Sequence, residues 1–160
     1  MHRIFAGLLM AIAFLAPIGK AFAQNVDQKV LGIESGMYYA MDVSSGDIGS
    51  ASAVALSLTL ADNLSAGFVF LNGDGTGLPA NAGLLALNLG LADRYGLTLM
   101  AGNDGTVPLV GTGFYFNIFE RKFQDALITV LKAKIEYIFA PSVGMDAGDL
   151  CLGMSVVVGL

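Results

Sequence analysis

The sequence predicts an all-β protein, an eight-stranded antiparallel up-and-down transmembrane β-barrel that follows an N-terminal signal peptide. Three observations lead there. Bulky apolar residues recur at every second position, most plainly in Ser50 to Asp62. In that stretch Ser52, Val54, Leu56, Leu58 and Leu60 share one face, and Ala51, Ala53, Ala55, Ser57, Thr59 and Ala61 share the other. Neither face holds a charge, whereas a half-buried strand in water turns polar side chains outward. Next, 55% of residues are hydrophobic, 13% are charged and the mean hydropathy is +0.69, against roughly 25% charged in ordinary soluble domains. Yet beyond the first residues no segment has the unbroken apolar length of about 20 residues that a membrane helix needs. Apolar residues dispersed on alternate positions are the mark of a membrane barrel. Finally, long and short connections alternate along the chain, which a soluble sandwich has no reason to do.

Residues 1–23 have a basic start (Met1-His2-Arg3), an apolar core from Ile4 to Pro17 and a small-x-small signature at Ala21-Phe22-Ala23. They are expected to be a secretory signal removed near Ala23, leaving residues 24–160 as one barrel domain. Removal takes away His2, Arg3 and Lys20 and none of the thirteen acidic residues. The mature chain is thus more acidic than the whole and has no histidine. Nucleic acid is excluded as a partner, because binding it requires a basic stripe.

The strands are expected in order. The first, Leu31 to Met41, sets Leu31, Ile33, Met37, Tyr39 and Met41 against Gly32, Glu34, Gly36, Tyr38 and Ala40. The second is Ser50 to Asp62, and the third, Leu64 to Leu71, alternates Leu64, Ala66, Phe68 and Phe70 with Ser65, Gly67, Val69 and Leu71. In the fourth, Leu85, Leu87, Leu89 and Leu91 oppose Ala86, Asn88, Gly90 and Ala92; the fifth runs from Tyr95 to Ala101. The sixth opposes Val110, Thr112, Phe114, Phe116 and Ile118 to Gly111, Gly113, Tyr115 and Asn117. The eighth places Leu150, Leu152, Met154, Val156, Val158 and Leu160 away from Cys151, Gly153, Ser155 and Gly159. Glycine inside strands is costly unless space or curvature demands it, and a tight barrel demands both.

The seventh stretch, Leu127 to Phe139, fits a strand with Lys132, Lys134 and Glu136 inward, but Phe123, Leu127, Val130, Leu131 and Ile135 also fit helical spacing. Barrel closure favours the strand, since an open seven-stranded sheet in lipid leaves edge amides and carbonyls unsatisfied. The connections Met41 to Ser50, Asn72 to Asn81, Gly102 to Pro108 and Ala140 to Asp149 are long and acidic. Those at Asp62-Asn63 and Asp93-Arg94 are tight, and Glu120 to Asp125 is moderate. Extended external loops and short periplasmic turns alternate in this way in outer-membrane barrels, with both termini periplasmic.

The inward parity gathers a polar set: Glu34, Lys132, Lys134 and Glu136, with Tyr38, Asn88, Tyr115 and Asn117 as neighbours. In eight strands the interior is just wide enough for side chains, so these groups are expected to form a paired plug, with Glu34 reaching Lys132 or Lys134 across the eighth strand. A gate or proton path is the sharper alternative. Catalysis is not expected: without a histidine no serine–histidine pair exists, and the only serines with the parity to approach Lys132 are Ser57, Ser65 and Ser155. No metal or cofactor is expected. The Asn72-Gly-Asp-Gly-Thr-Gly run lacks alternating carboxylates and has Gly83 at the twelfth position, so it does not meet the calcium-loop pattern. The Gly111-Thr-Gly113 run has Phe116 where a dinucleotide loop needs its third glycine. Cys151, the one cysteine, sits between Leu150 and Leu152 without a basic neighbour and is expected to fill space in the lumen.

The signal peptide, the glycine-rich alternating strands and the terminal Gly-Met-Ser-Val-Val-Val-Gly-Leu together resemble the small eight-stranded outer-membrane barrels of Gram-negative bacteria, the broad OmpA/OmpX-like, porin-like family. Those barrels usually end in an aromatic residue, and this chain ends in Leu160. The resemblance implies an outer-membrane location, a structural or surface-interaction role in the envelope, and contact with outer-membrane lipids, lipopolysaccharide and the outer-membrane assembly machinery, as a monomer. Two alternatives stand beside it: a narrow carrier of small solutes, and a soluble exported barrel that binds lipid inside, with its aliphatic faces inverted.

Overall fold

The computed structural model describes residues 31–74, 81–123 and 127–159. The signal peptide expected at 1–23, Leu160 and residues 75–80 of the 72–83 run lie outside the described residues. The strands are β1 (Leu31–Asp42), β2 (Ile48–Ala61), β3 (Leu64–Gly73), β4 (Ala82–Ala92), β5 (Tyr95–Asn103), β6 (Pro108–Phe123), β7 (Leu127–Phe139) and β8 (Asp149–Gly159), with one 3₁₀ turn at Met145–Ala147 before β8. Each pairs antiparallel with its sequence neighbour, and β8 closes on β1. The fold is therefore a closed eight-stranded antiparallel barrel. Closure leaves no open sheet edge around the wall, which satisfies the backbone from within the chain.

Following the register shows how the strands tilt. From Gly32 the paired row runs through Ser57, Gly67, Ala86, Met100, Gly111, Ile138 and Asp149, and returns to β1 at Asp42. One circuit thus ends at the opposite end of the strand on which it began. A stagger of this kind is what closing a small barrel requires. Three register shifts, at Thr59/Ala61, Gly90/Ala92 and Asn117/Phe119, all lie toward the rim that carries the start of β1 and the end of β8, called here the lower rim.

The doubtful seventh stretch is a strand throughout, paired with β6 on one side and β8 on the other. Its helical spacing loses because two neighbours supply a ladder that a helix would forfeit. Several strands outrun the alternation from which they were read. The second begins at Ile48, the fourth at Ala82 and the eighth at Asp149, and the sixth continues to Phe123, so Glu120, Arg121 and Lys122 lie in a strand rather than a connection. A paired neighbour holds backbone extended beyond the point where side-chain alternation stops marking it.

Along the wall, burial alternates with a period of two, and the large aliphatic and aromatic side chains face out. Met37, Tyr39 and Leu85 are each 67% exposed and Phe114 is 61% exposed. Inside, Ala40, Ala51, Ala53, Leu71, Leu84 and Ile138 form the core with Met100, Leu109 and Cys151. The alternative with inverted aliphatic faces is corrected here: the alternating bulky apolar faces form the outer surface, and the lumen takes mostly small residues with Leu71, Leu84, Leu109 and Ile138 among them.

Two inward tyrosines lie over glycines on the adjacent strand, Tyr38 over Gly153 and Tyr115 over Gly96. A Cβ at Gly153 would run into the Tyr38 ring. Gly153→Val is expected to cost about 1–3 kcal/mol, the usual penalty of overpacking; urea unfolding in micelles measures it.

Candidate functional site

The lumen divides into two halves because each inward face changes character along its strand. Toward the lower rim the inward residues are Glu34, Ser57, Ser65, Asn88, Thr98, Tyr115, Asn117, Lys132, Lys134 and Ser155; toward the upper rim they are chiefly Ala, Leu, Ile, Val and Met. Ile128, Val130 and Val157 are the apolar exceptions below, and Glu136 and Asp149 place carboxylates in the upper half.

Four of the lumen charges form one chain of alternating sign. Lys134 makes a close ion pair with Glu34. The Lys134 ammonium also lies 4.0 Å from Glu136, and Lys132 lies 4.0 Å from the other Glu34 oxygen. β7 supplies three of the four groups at alternate positions, so that all share its inner face. Glu34 reaches them from β1 over the intervening β8, whose Gly153 and Ser155 leave room. Side-chain exposure falls along the chain from 18% at Lys132 to 14% at Glu34, 9% at Lys134 and 4% at Glu136. Water therefore reaches this cluster from the lower rim and fades toward its upper end.

The remaining polar residues divide between this cluster and the opposite wall. Tyr115 presents its ring to the Lys132 ammonium, 4.9 Å from the centroid. Tyr38 is 3% exposed and covers Gly153 beside Lys134. Asn117 stands directly across from Lys132 in the β6–β7 register, with its Oδ1 buried and without a hydrogen-bond partner. Ser155 borders Glu34 without a well-directed hydrogen bond. Asn88 does not join the charges. Its Oδ1 accepts from the Thr98 hydroxyl at 2.8 Å, and its amide donates to Ser65 at 3.4 Å, making a separate network across β3, β4 and β5. Thr98 and Ser65 share the inward parity, so the signal for this network lies in the same alternation that marks Asn88.

Cys151 is 1% exposed and lies against the Asp149 carbonyl, as a space-filling group would. At the upper rim Asp42 and Asp104 serve their own turns, while the buried Asp149 Oδ1 has no hydrogen-bond partner. Asp42 Oδ1 accepts from the Ser44 and Ser45 amides at 2.7 and 3.0 Å, and Asp104 Oδ1 accepts from the Thr106 and Val107 amides, both at 2.8 Å. Those hydrogen bonds hold the Asp104 carboxyl below the usual carboxylate range, led by the Val107 amide. Asp74 Oδ2 instead reaches across from the end of β3 to β2, accepting from the Ser50 amide at 2.8 Å. Among the described residues no group of three or more His, Cys, Asp or Glu is placed to hold a metal ion.

No family model matches the chain, and no curated protein matches it. Among solved structures the chain is similar to a protein described as "De novo design of transmembrane beta-barrels". The likeness has 11% identity and a TM-score of 0.48, and it covers 84% of this chain and 99% of that one.

Proposed function

We propose that the protein is an integral barrel of the bacterial outer membrane, non-conducting and non-catalytic, with a structural or surface-interaction role in the envelope. The observation that carries this reading is the outer wall. Val54, Leu56, Leu58 and Leu60 of β2, Phe68 and Phe70 of β3, Phe114 and Phe116 of β6, and Leu152, Met154 and Val156 of β8 are all exposed. Water-soluble monomers rarely carry apolar patches beyond a few hundred Å², and this surface encircles the barrel. Hydrocarbon is the solvent that makes it stable.

The carrier reading loses support from the upper lumen, where Leu84 is 0% exposed and Ile138, Leu71 and Leu109 close around it. A passage would have to open through packed aliphatic side chains. The longer connections at the upper rim correspond to external loops, and the tight turns at the lower rim to the periplasmic side. Lipopolysaccharide would then meet the upper wall, and assembly of the barrel would depend on the outer-membrane machinery.

The test has two stages. The protein is expected to stay in the membrane fraction through a carbonate wash and to migrate differently before and after boiling, as a closed barrel does. Reconstituted in a planar bilayer it is expected to give no stepwise current. Release by carbonate refutes the membrane reading; steady conductance refutes the sealed lumen alone.

A further inference from the structure

The register shift between Asn117 and Phe119 has a consequence at the lower rim. Above it, even-numbered residues of β6 face out. Below it, Phe119, Arg121 and Phe123 pair with Leu131, Thr129 and Leu127, which carry the outward parity of β7. The shift therefore turns Phe119, Arg121 and Phe123 onto the outer wall and Glu120 and Lys122 to the other side. This stretch runs past the neighbouring turn: the Asn117 amide donates to the Arg94 carbonyl, and β5 pairs no further down.

We infer that this outward face of the β6–β7 hairpin is a docking site for the headgroup of an anionic phospholipid in the leaflet nearest the lower rim. The inference rests on the membrane reading above and adds a ligand class to it. Phe119 and Phe123, 56% and 42% exposed, continue the apolar belt and lie on either side of Arg121. The guanidinium sits over the Phe123 ring, 4.8 Å from its centroid. Stacking orients the planar group and leaves its edge donors free for a planar or tetrahedral anion. Among the described residues no carboxylate pairs with Arg121. Directly across the ladder, Thr129 offers a hydroxyl. An arginine fork beside a hydroxyl suits a phosphodiester, which takes two parallel N–H bonds from arginine. The flanking Phe119, Leu127 and Leu131 suit the acyl chains attached to it. In a chain with thirteen acidic and eight basic residues, a cation set into the apolar wall here is complementary to an anionic headgroup.

The test uses the full chain in nanodiscs that mix phosphatidylcholine with phosphatidylglycerol, followed by native mass spectrometry of the lipids retained on extraction. The wild type is expected to retain phosphatidylglycerol severalfold over phosphatidylcholine. Arg121→Gln should bring that preference to background, Arg121→Lys should keep part of it, and Arg94→Gln, at the adjacent turn, should leave it intact. Unchanged heat-dependent migration identifies variants that still form the barrel. Equal preference in Arg121→Gln and wild type overturns the proposal, as does a wild type without preference. A chain that never enters the nanodisc overturns the membrane reading itself, a separate result.

Discussion

Lys134→Met is expected to lower the unfolding free energy by about 3–5 kcal/mol, the cost of removing one member of a buried ion pair. The effect comes from what is left behind. Among the described residues Lys134 alone lies within ion-pair reach of both carboxylates, so without it Glu136 loses its ion-pair partner there and Glu34 keeps Lys132 at 4.0 Å. Both acids remain in the lumen, where the Glu136 side chain is only 4% exposed. Methionine matches the length of the lysine stem, which keeps packing loss out of the result. Glu34→Gln combined with Lys134→Met is expected to cost less than the two single changes together, with a coupling of at least about 1 kcal/mol. Urea titrations of all four proteins in the same micelles close the cycle. Additive losses would mean that the pair contributes packing alone.

Val54→Arg comes next, at about 2–4 kcal/mol, the cost of arginine on a lipid-facing wall near the bilayer midplane. Val54 lies at the centre of β2, faces outward and is 53% exposed. Its control is on the same face of the same strand. Ile48, the first residue of β2, is 68% exposed at the upper rim, and Ile48→Arg is expected to cost no more than about 1 kcal/mol. Refolding into lipid vesicles with urea measures both. The contrast is what bears on the membrane: in water both substitutions replace an exposed apolar group with a charge, and neither should destabilise. Equal effects at the two depths would remove hydrocarbon from the explanation.

Much of the wall is legible in the chain. Period-two alternation in Ser50 to Asp62 sets inside from outside without ambiguity, because a one-residue slip would turn every leucine into the lumen. The same parity collects Glu34, Lys132, Lys134 and Glu136. Strand ends are less legible: β6 runs through Glu120, Arg121 and Lys122, where a single inserted residue at the bulge breaks the alternation and imitates a polar turn. Parity also fails to say which inward groups meet. Asn88 and Asn117 look equivalent in sequence, yet one completes a network with Thr98 and Ser65 while the other faces Lys132 with an unpartnered oxygen.

What the sequence determined by itself was the number of strands and their facing above the bulge, since those follow from side-chain period and composition, which are local. Only the tertiary structure decided the stagger that returns Gly32's row at Asp42, the order of the Lys132–Glu34–Lys134–Glu136 chain and the packing of aliphatic side chains in the upper lumen. These depend on the tilt that closure imposes, and tilt is a property of eight strands together that no single strand encodes.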